Sequence, residues 1–264
     1  MTNPKFSIIT ICYENLPGVI KTTKSVLEQS FDQFEWIVID GGSKDGTTEF
    51  INSVSCDSLI FVSEPDNGIF DAMNKGLLLA TGEYTIFMNS GDTFSEKETL
   101  KNINDNLGTK KPELIYGGSQ EFDGNNLFVK PARDPSANRF VMFTHHQSIL
   151  YKTSICKKIG YDTSYKLSAD WVMTTRFIKS VQNISFLSLP YSISIFERGG
   201  VSQQKKHRHT MNSELYRIYR EEQGFNCVFA ASLWIIKVGI NKARALLPSA
   251  YDKLRYVKPL ESRK

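Results

Sequence analysis

Carboxylates and amides crowd four short stretches near the start of the chain: Glu14 and Asn15, Asp40 and Asp45, Glu64 to Asn67, and Asn89 with Asp92. Each stretch follows directly on a run of β-branched or aromatic residues, so each stands where a strand ends. In an open parallel sheet, ligands bind outside the carboxyl ends of the strands. Acidic groups gathered there repel one another, which predicts a bound cation or the hydroxyl and amide donors of a sugar and a base as their partner. Two phosphate-binding patterns are excluded by inspection. Residues 41–46 have the glycine spacing of a P-loop, but Thr47 stands where the lysine is required, and Gly41-Gly42-Ser43 does not begin a G-x-G-x-x-G turn. Asp40, ending the second run, is placed to accept hydrogen bonds from a ribose or a base edge.

The elements that must carry these groups alternate. Residues 6–12, 34–40, 59–63 and 84–88 read as strands, the first of them apolar enough to be buried on both faces. Helical spacing of apolar residues fills 19–31, 47–54 and 70–80, with Ser43 or Asp45 as the cap of the second helix. Four strand and helix alternations predict an α/β fold with a mainly parallel, right-handed sheet covered on both faces. Beyond Asp92 the pattern loosens. A helix at 99–107, a strand at 113–116, a short hairpin within 117–135, a strand or turn at 143–151, helices at 153–159 and 170–178, and a strand at 184–196 interrupted at Pro190 are the expectation.

Four segments in order and register resemble glycosyltransferase family 2: FSIITICYEN at 6–15, WIVIDGGSKDGT at 36–47, EPDNGIFDAMNKG at 64–76 and TGEYTIFMNSGD at 81–92. The likeness spans about residues 5–200, and the NSGD variant resembles the subset found in bacterial exopolysaccharide and colanic-acid clusters. It implies a GT-A fold, a nucleotide-diphosphate-sugar donor, a divalent cation (Mn2+ or Mg2+) and inversion at the anomeric carbon. It places Thr10, Glu14 and Asp40 around the nucleoside, Lys75 near the diphosphate, and Asn89 and Asp92 at the ribose and metal. The family's metal motif carries more carboxylates than NSGD, so Asp92 alone is a strong ligand here, and the cation depends on phosphate oxygens for much of its shell. SADW at 168–171 matches the region of the catalytic base, with Ala169 in place of an acid and Asp170 retained as the base. His146 and Gln147 fall where acceptor-side residues occur in that subset, and Arg198, in the ERGGVS stretch at 197–202, could reach the diphosphate.

The expected organisation is a GT-A domain over 1–201, with a donor half at 1–92 and an acceptor half at 93–201, followed by a basic helical tail at 202–264. That tail holds 13 Lys and Arg against 5 Asp and Glu, and the rest of the chain 19 against 23, so the formal net charge of +4 conceals an acidic body and a basic end. The apolar run at 227–236 stops at Lys237, short of the roughly 20 residues of a membrane span. A tail of this kind either lies on an anionic membrane surface or closes the core, and a lipid-linked acceptor favours the first. No nucleic-acid module accompanies the charge. Four scattered cysteines, without a C-x-x-C pair or a secretory leader, predict a cytoplasmic protein, and the membrane-surface reading of the tail would set it at the cytoplasmic face of the inner membrane. The expected activity is sugar transfer to a glycan or lipid-linked acceptor in surface-polysaccharide synthesis. The rival is a non-catalytic sugar-nucleotide-binding or scaffold protein, suggested by the thinned NSGD motif and Ala169. A nucleotidyltransferase would need a glycine-rich activating loop near the N-terminus, and 9–15 has none.

Overall fold

The computed structural model describes residues 4–197 and 207–246. Strand β1 (Phe6–Cys12) is buried at every position, as a run of β-branched and aromatic residues with no polar face requires. It lies between β2 (Phe34–Asp40) and β4 (Tyr84–Phe87), parallel to both, and β3 (Leu59–Ser63) pairs parallel to β2. The period of two then sorts side chains. Ile9, Ile11, Ile37 and Ile39 face one layer, which contains α3 (Ile69–Leu79), while Phe6, Ile8, Trp36 and Val38 face the other, which contains α1 (Leu16–Leu27). Helix α3 lies so close to the sheet that a Cβ on Gly76 would come within 2.6 Å of Ile9 Cγ2.

Past β4 the sheet becomes mixed. Its order is β3-β2-β1-β4-β8-β6-β9-β5, with β7 on β6. Here β5 is Thr93–Phe94, β6 Leu114–Phe122, β7 Leu127–Lys130, β8 Ile149–Lys152 and β9 Phe186–Glu197. Strand β8 runs antiparallel to both β4 and β6, and β9 runs parallel to β6, so the carboxyl ends of β6 and β9 join those of β1 to β4 at one edge. The expected hairpin is β6–β7. The expected break at Pro190 is absent, and β9 is continuous, because the register against β6 shifts between Tyr116 and Gly118. A bulge asks for no regular ladder N–H, and proline is tolerated there.

The second helix, α2 (Thr47–Asn52), ends earlier than its periodicity predicted. Its N-terminus is served by Asp45, whose carboxylate accepts from the Thr47 N–H at 3.2 Å and hydroxyl at 2.7 Å, whereas the Ser43 hydroxyl turns to Asp40. Helices α4 (Thr99–Leu107), α5 (Thr153–Ile159) and α6 (Ala169–Ser180) stand where the spacing places them. The chain then forms α7 (Arg208–Arg217), a π-helical turn over Ile218–Glu222 and α8 (Cys227–Leu246). Leu215, Ile218, Tyr219, Phe225 and Ala230 belong to the same buried cluster as α3 and α6, so the inner side of this helical end closes the core.

Candidate active site

The turn after β4 is built by backbone geometry. Gly91 takes φ +100°, which side chains beyond Cβ resist. Its N–H reaches the Gly18 carbonyl at 3.1 Å and the Thr22 hydroxyl at 3.0 Å, while Thr22 also donates to the Asp92 carbonyl at 2.7 Å. Asn15 fastens Ser90 from the end of β1, its Nδ2 lying 2.9 Å from the serine Oγ. Helix α1 thus fixes the turn from one side and aims Asn89 and Asp92 at the sheet edge.

From the other side comes a 3₁₀ turn, His146–Ser148, anchored by the Ser148 hydroxyl 2.7 Å from that of Ser194 on β9. It brings Gln147 Nε2 to 3.0 Å from Asp92 Oδ2, and His146 between Asn89 and Asp170. Asn89 Nδ2 stands 3.4 Å from His146 Nε2, and His146 Nδ1 stands 3.4 Å from Asp170 Oδ2. An amide that donates to Nε2 leaves the ring proton on Nδ1, facing the carboxylate. Asp170 lies in the first turn of α6, where the helix dipole favours its negative charge, and Oδ1 accepts from the Trp171 N–H at 2.8 Å. The neighbouring His145 faces away, with Nδ1 3.2 Å from Ser119 Oγ and Nε2 2.6 Å from Lys130 Nζ.

Asn89, Asp92, His146, Gln147 and Asp170 therefore form one group. Burial pushes the Asp92 carboxyl up to about 6, against the opposing pull of the Gln147 amide and the neighbouring His146. Asn89 Oδ1 is buried in the same turn without a hydrogen-bond partner. A buried carboxylate and an orphaned oxygen suit a hard divalent cation, which takes oxygen ligands and is often held by one or two carboxylates plus substrate phosphates. Among the described residues no group of three or more His, Cys, Asp or Glu could hold a metal by itself. The residues fit a cation that shares its shell with a bound diphosphate.

The loops after β1 and β2 interlock at the other end of the edge. Glu14 has φ +48°, a sparsely populated conformation for a residue with a side chain, and two bonds hold it there. Its N–H donates to Ser43 Oγ at 2.8 Å, and its carboxylate accepts from the Lys44 N–H at 2.9 Å. Asp40 is fully buried and accepts from the hydroxyls of Ser43 (2.5 Å) and Ser63 (2.6 Å) and the N–H groups of Ser43 (3.0 Å) and Gly42 (3.2 Å). These partners use up most of its accepting capacity, so Asp40 organises the loop from beneath. Thr10 lies two residues before the end of β1, fully buried, accepting the Trp36 indole N–H at 3.0 Å. Lys75 is held over the loop after β3, 2.8 Å from Glu64 and 2.9 Å from the Pro65 carbonyl, and a diphosphate would have to draw it away. Arg198 lies outside the described residues.

Sequence reasoning took Ser43 only as a helix-cap candidate, and it passed over Ser63, whose only signal was that it ends a strand, and Tyr13, 64% exposed at the tip of β1. It also passed over Glu214, a buried acid on α7. The Glu214 carboxylate accepts the N–H groups of Lys166 at 2.5 Å and Leu167 at 3.1 Å, in the segment that leads into Asp170.

A curled, mixed sheet with acidic strand ends facing a helix-borne carboxylate defines a GT-A glycosyltransferase. Residues 7–176 match the family described as Glycosyl transferase family 2, and the chain belongs to it. A PGL/p-HBAD biosynthesis glycosyltransferase of Mycobacterium bovis is 30% identical over 207 residues, 76% of this chain and 80% of that protein. An uncharacterised glycosyltransferase of Mycobacterium tuberculosis is 33% identical over 174 residues, 63% of this chain and 66% of that protein. Among solved structures, Staphylococcus aureus TarS 1–349 in complex with UDP-GlcNAc superposes with a TM-score of 0.65 at 17% identity, covering 87% of this chain and 70% of that one. The Pyrobaculum calidifontis mannosyltransferase PcManGT, in complex with GDP-Man and Mn2+, gives 0.62 at 15% identity, covering 97% and 84%. These likenesses show the fold.

Proposed function

We propose that the chain transfers one sugar, with inversion, from a nucleoside diphosphate sugar to a hydroxyl of a glycan or lipid-linked acceptor, in the making of a cell-surface polysaccharide at the cytoplasmic face of a membrane. The observation that carries this reading is the run Asn89, His146, Asp170 beside Gln147 and Asp92, with contacts of 3.0 to 3.4 Å. It supports a reading in which Asp170 is the base and the turn of Asn89 and Asp92, across from it, receives a cation and the donor diphosphate. Support for the donor comes from neighbours of the same fold that hold UDP-GlcNAc and GDP-Man, and support for sugar transfer in biosynthesis from the mycobacterial relative.

Asp170 accepts the proton of the acceptor hydroxyl as the new C–O bond forms, a contribution of about 10²- to 10⁴-fold. His146 orients it by presenting Nδ1–H, and Gln147 keeps Asp92 turned to the edge. Asp92 and Asn89 Oδ1 would hold Mn2+ or Mg2+ together with phosphate oxygens, and the cation would offset the charge of the departing diphosphate. Direct displacement by the acceptor inverts the anomeric centre and needs only this one base. Glu14, the loop that Asp40 organises and exposed Tyr13 receive the nucleoside, with Lys75 at the margin of the diphosphate.

Two variants separate binding from chemistry. Asp92→Ala should abolish the Mn2+-dependent thermal shift given by UDP- or GDP-sugars. Asp170→Asn should keep that shift and lose transfer by about 10²-fold or more. Nucleotide-sugar binding without turnover, equal in wild type and Asp170→Asn across acceptors, would mark a binding protein instead.

A further inference from the structure

Helix α8 is apolar on two sides, and the core accounts for only one. Ala230 is buried, Leu233 and Trp234 pack against the core, and the Trp234 indole donates to the Asn212 carbonyl at 2.8 Å. The opposite side carries Val228, Phe229, Ile235, Ile236 and Ile240, all exposed, with Val228 at 73% and Ile235 at 61%. Their spacing of three to four residues makes one continuous stripe, completed by exposed Ser232 and Gly239. By the same helical spacing exposed Lys242 lies along one margin of the stripe, while Lys237, seven residues after buried Ala230, stands on the core side. The sequence holds no Asp or Glu from residue 223 to residue 251.

We propose that this stripe seats the protein on an anionic lipid surface, with α8 lying in the plane of the headgroups. From Val228 to Ile240 the helix is about 18 Å long, and it lies on the bilayer with its aliphatic groups in the acyl boundary and the Lys242 stem reaching back to lipid phosphates. No described helix is long and apolar enough to cross a membrane. A second copy of the chain is a poorer cover, because stripe against stripe would press together two helices that both carry basic residues and no acid. An anionic surface answers apolar area and charge together. The helix is built into the acceptor half, since α7, which packs against α8, supplies Glu214 to the segment leading into Asp170. That the acceptor is therefore anchored in the same bilayer rests on the transferase reading above; the docking itself does not.

The test is co-sedimentation of the full chain with vesicles of equimolar phosphatidylglycerol and phosphatidylcholine, against vesicles of phosphatidylcholine alone. Wild type should partition onto the anionic vesicles and be released by high salt. Ile235→Glu/Ile236→Glu should bind them about tenfold more weakly or worse while keeping its nucleotide-sugar thermal shift. Should that variant lose its helical circular dichroism, Val228→Ser/Ile240→Ser, which adds no charge, decides in its place. Wild type that ignores anionic vesicles, or a folded variant that binds them as wild type does, overturns the proposal. So does a dimer that the stripe variants dissolve in the absence of any vesicle binding, since a second copy would then cover the stripe.

Discussion

At Asp40, burial opposes ionisation, yet hydrogen bonds from Ser43, Ser63 and two backbone N–H groups outweigh it and hold the carboxyl below its ordinary value. A group depressed in this way stabilises the fold above its unfolded value of roughly 3.9, and that contribution fades as pH falls through the folded value. Asp40→Asn should therefore cost about 1 to 3 kcal/mol near neutrality, from lost charge-assisted bonds. The gap between variant and wild type in urea unfolding should be flat from pH 6 to 8 and narrow below about pH 4. A gap that does not change with pH would mean that the charge is not what holds the loop. The sequence marks Asp40 as a strand-end acid but does not say which way it turns. That depends on Ser63, 23 residues away, whose hydroxyl reaches it only once β2 and β3 pair. Asp92 and Asp170 can be picked out by strong local signals, a strand end and a helix start, whereas only the family resemblance singles out His146 and Gln147, and nothing local says that they meet Asp170 and Asp92.

Elements that position these residues are less legible than the residues. The four parallel strands announce themselves because burial on both faces demands unbroken apolar runs. Strand β9 does not, since Pro190 reads as an interruption unless the bulge opposite Gly117 is known. That glycine is required by close approach, as a Cβ there would stand 2.6 Å from the Tyr191 carbonyl. Helix α7 is the strongest case, because nothing local in its sequence says that Glu214 reaches across to Lys166 and Leu167. Glu214→Ala leaves two N–H groups without their acceptor and frees the segment before α6. The expected result is a fall in kcat of about tenfold or more, as small misplacement of a base does, with donor affinity unchanged. Glu214→Gln, which keeps an acceptor oxygen, should recover part of it. If donor affinity and kcat fall together in both variants, Glu214 supports the fold in general and does not position Asp170.

For the molecule as a whole, the contrast between an acidic body and a basic end is plain in the sequence, but how the two are joined is not. The joint is polar around an apolar centre. Arg176 on α6 donates to Glu222 through Nε at 3.1 Å and Nη2 at 2.7 Å, and to Asp162 at 3.0 Å, while Tyr219 donates to the Phe140 carbonyl at 2.9 Å. Beneath these bonds Leu215, Ile218 and Phe225 enter the core cluster of the body. An end whose side chains complete the body's core cannot melt by itself without exposing that core, so the two should unfold as one. Arg176→Ala leaves the carboxylates of Glu222 and Asp162 facing each other without their cation. Because Arg176 is partly exposed, solvent screens the loss, and the expected destabilisation is about 1 to 3 kcal/mol. Calorimetry should show a single transition in wild type and variant alike, moved down by a few degrees in the variant, with calorimetric and van't Hoff enthalpies in agreement. A separate low-temperature transition in Arg176→Ala, removed when residues 207–264 are deleted, would show instead that the helical end is a unit of its own and that the body keeps its core without it.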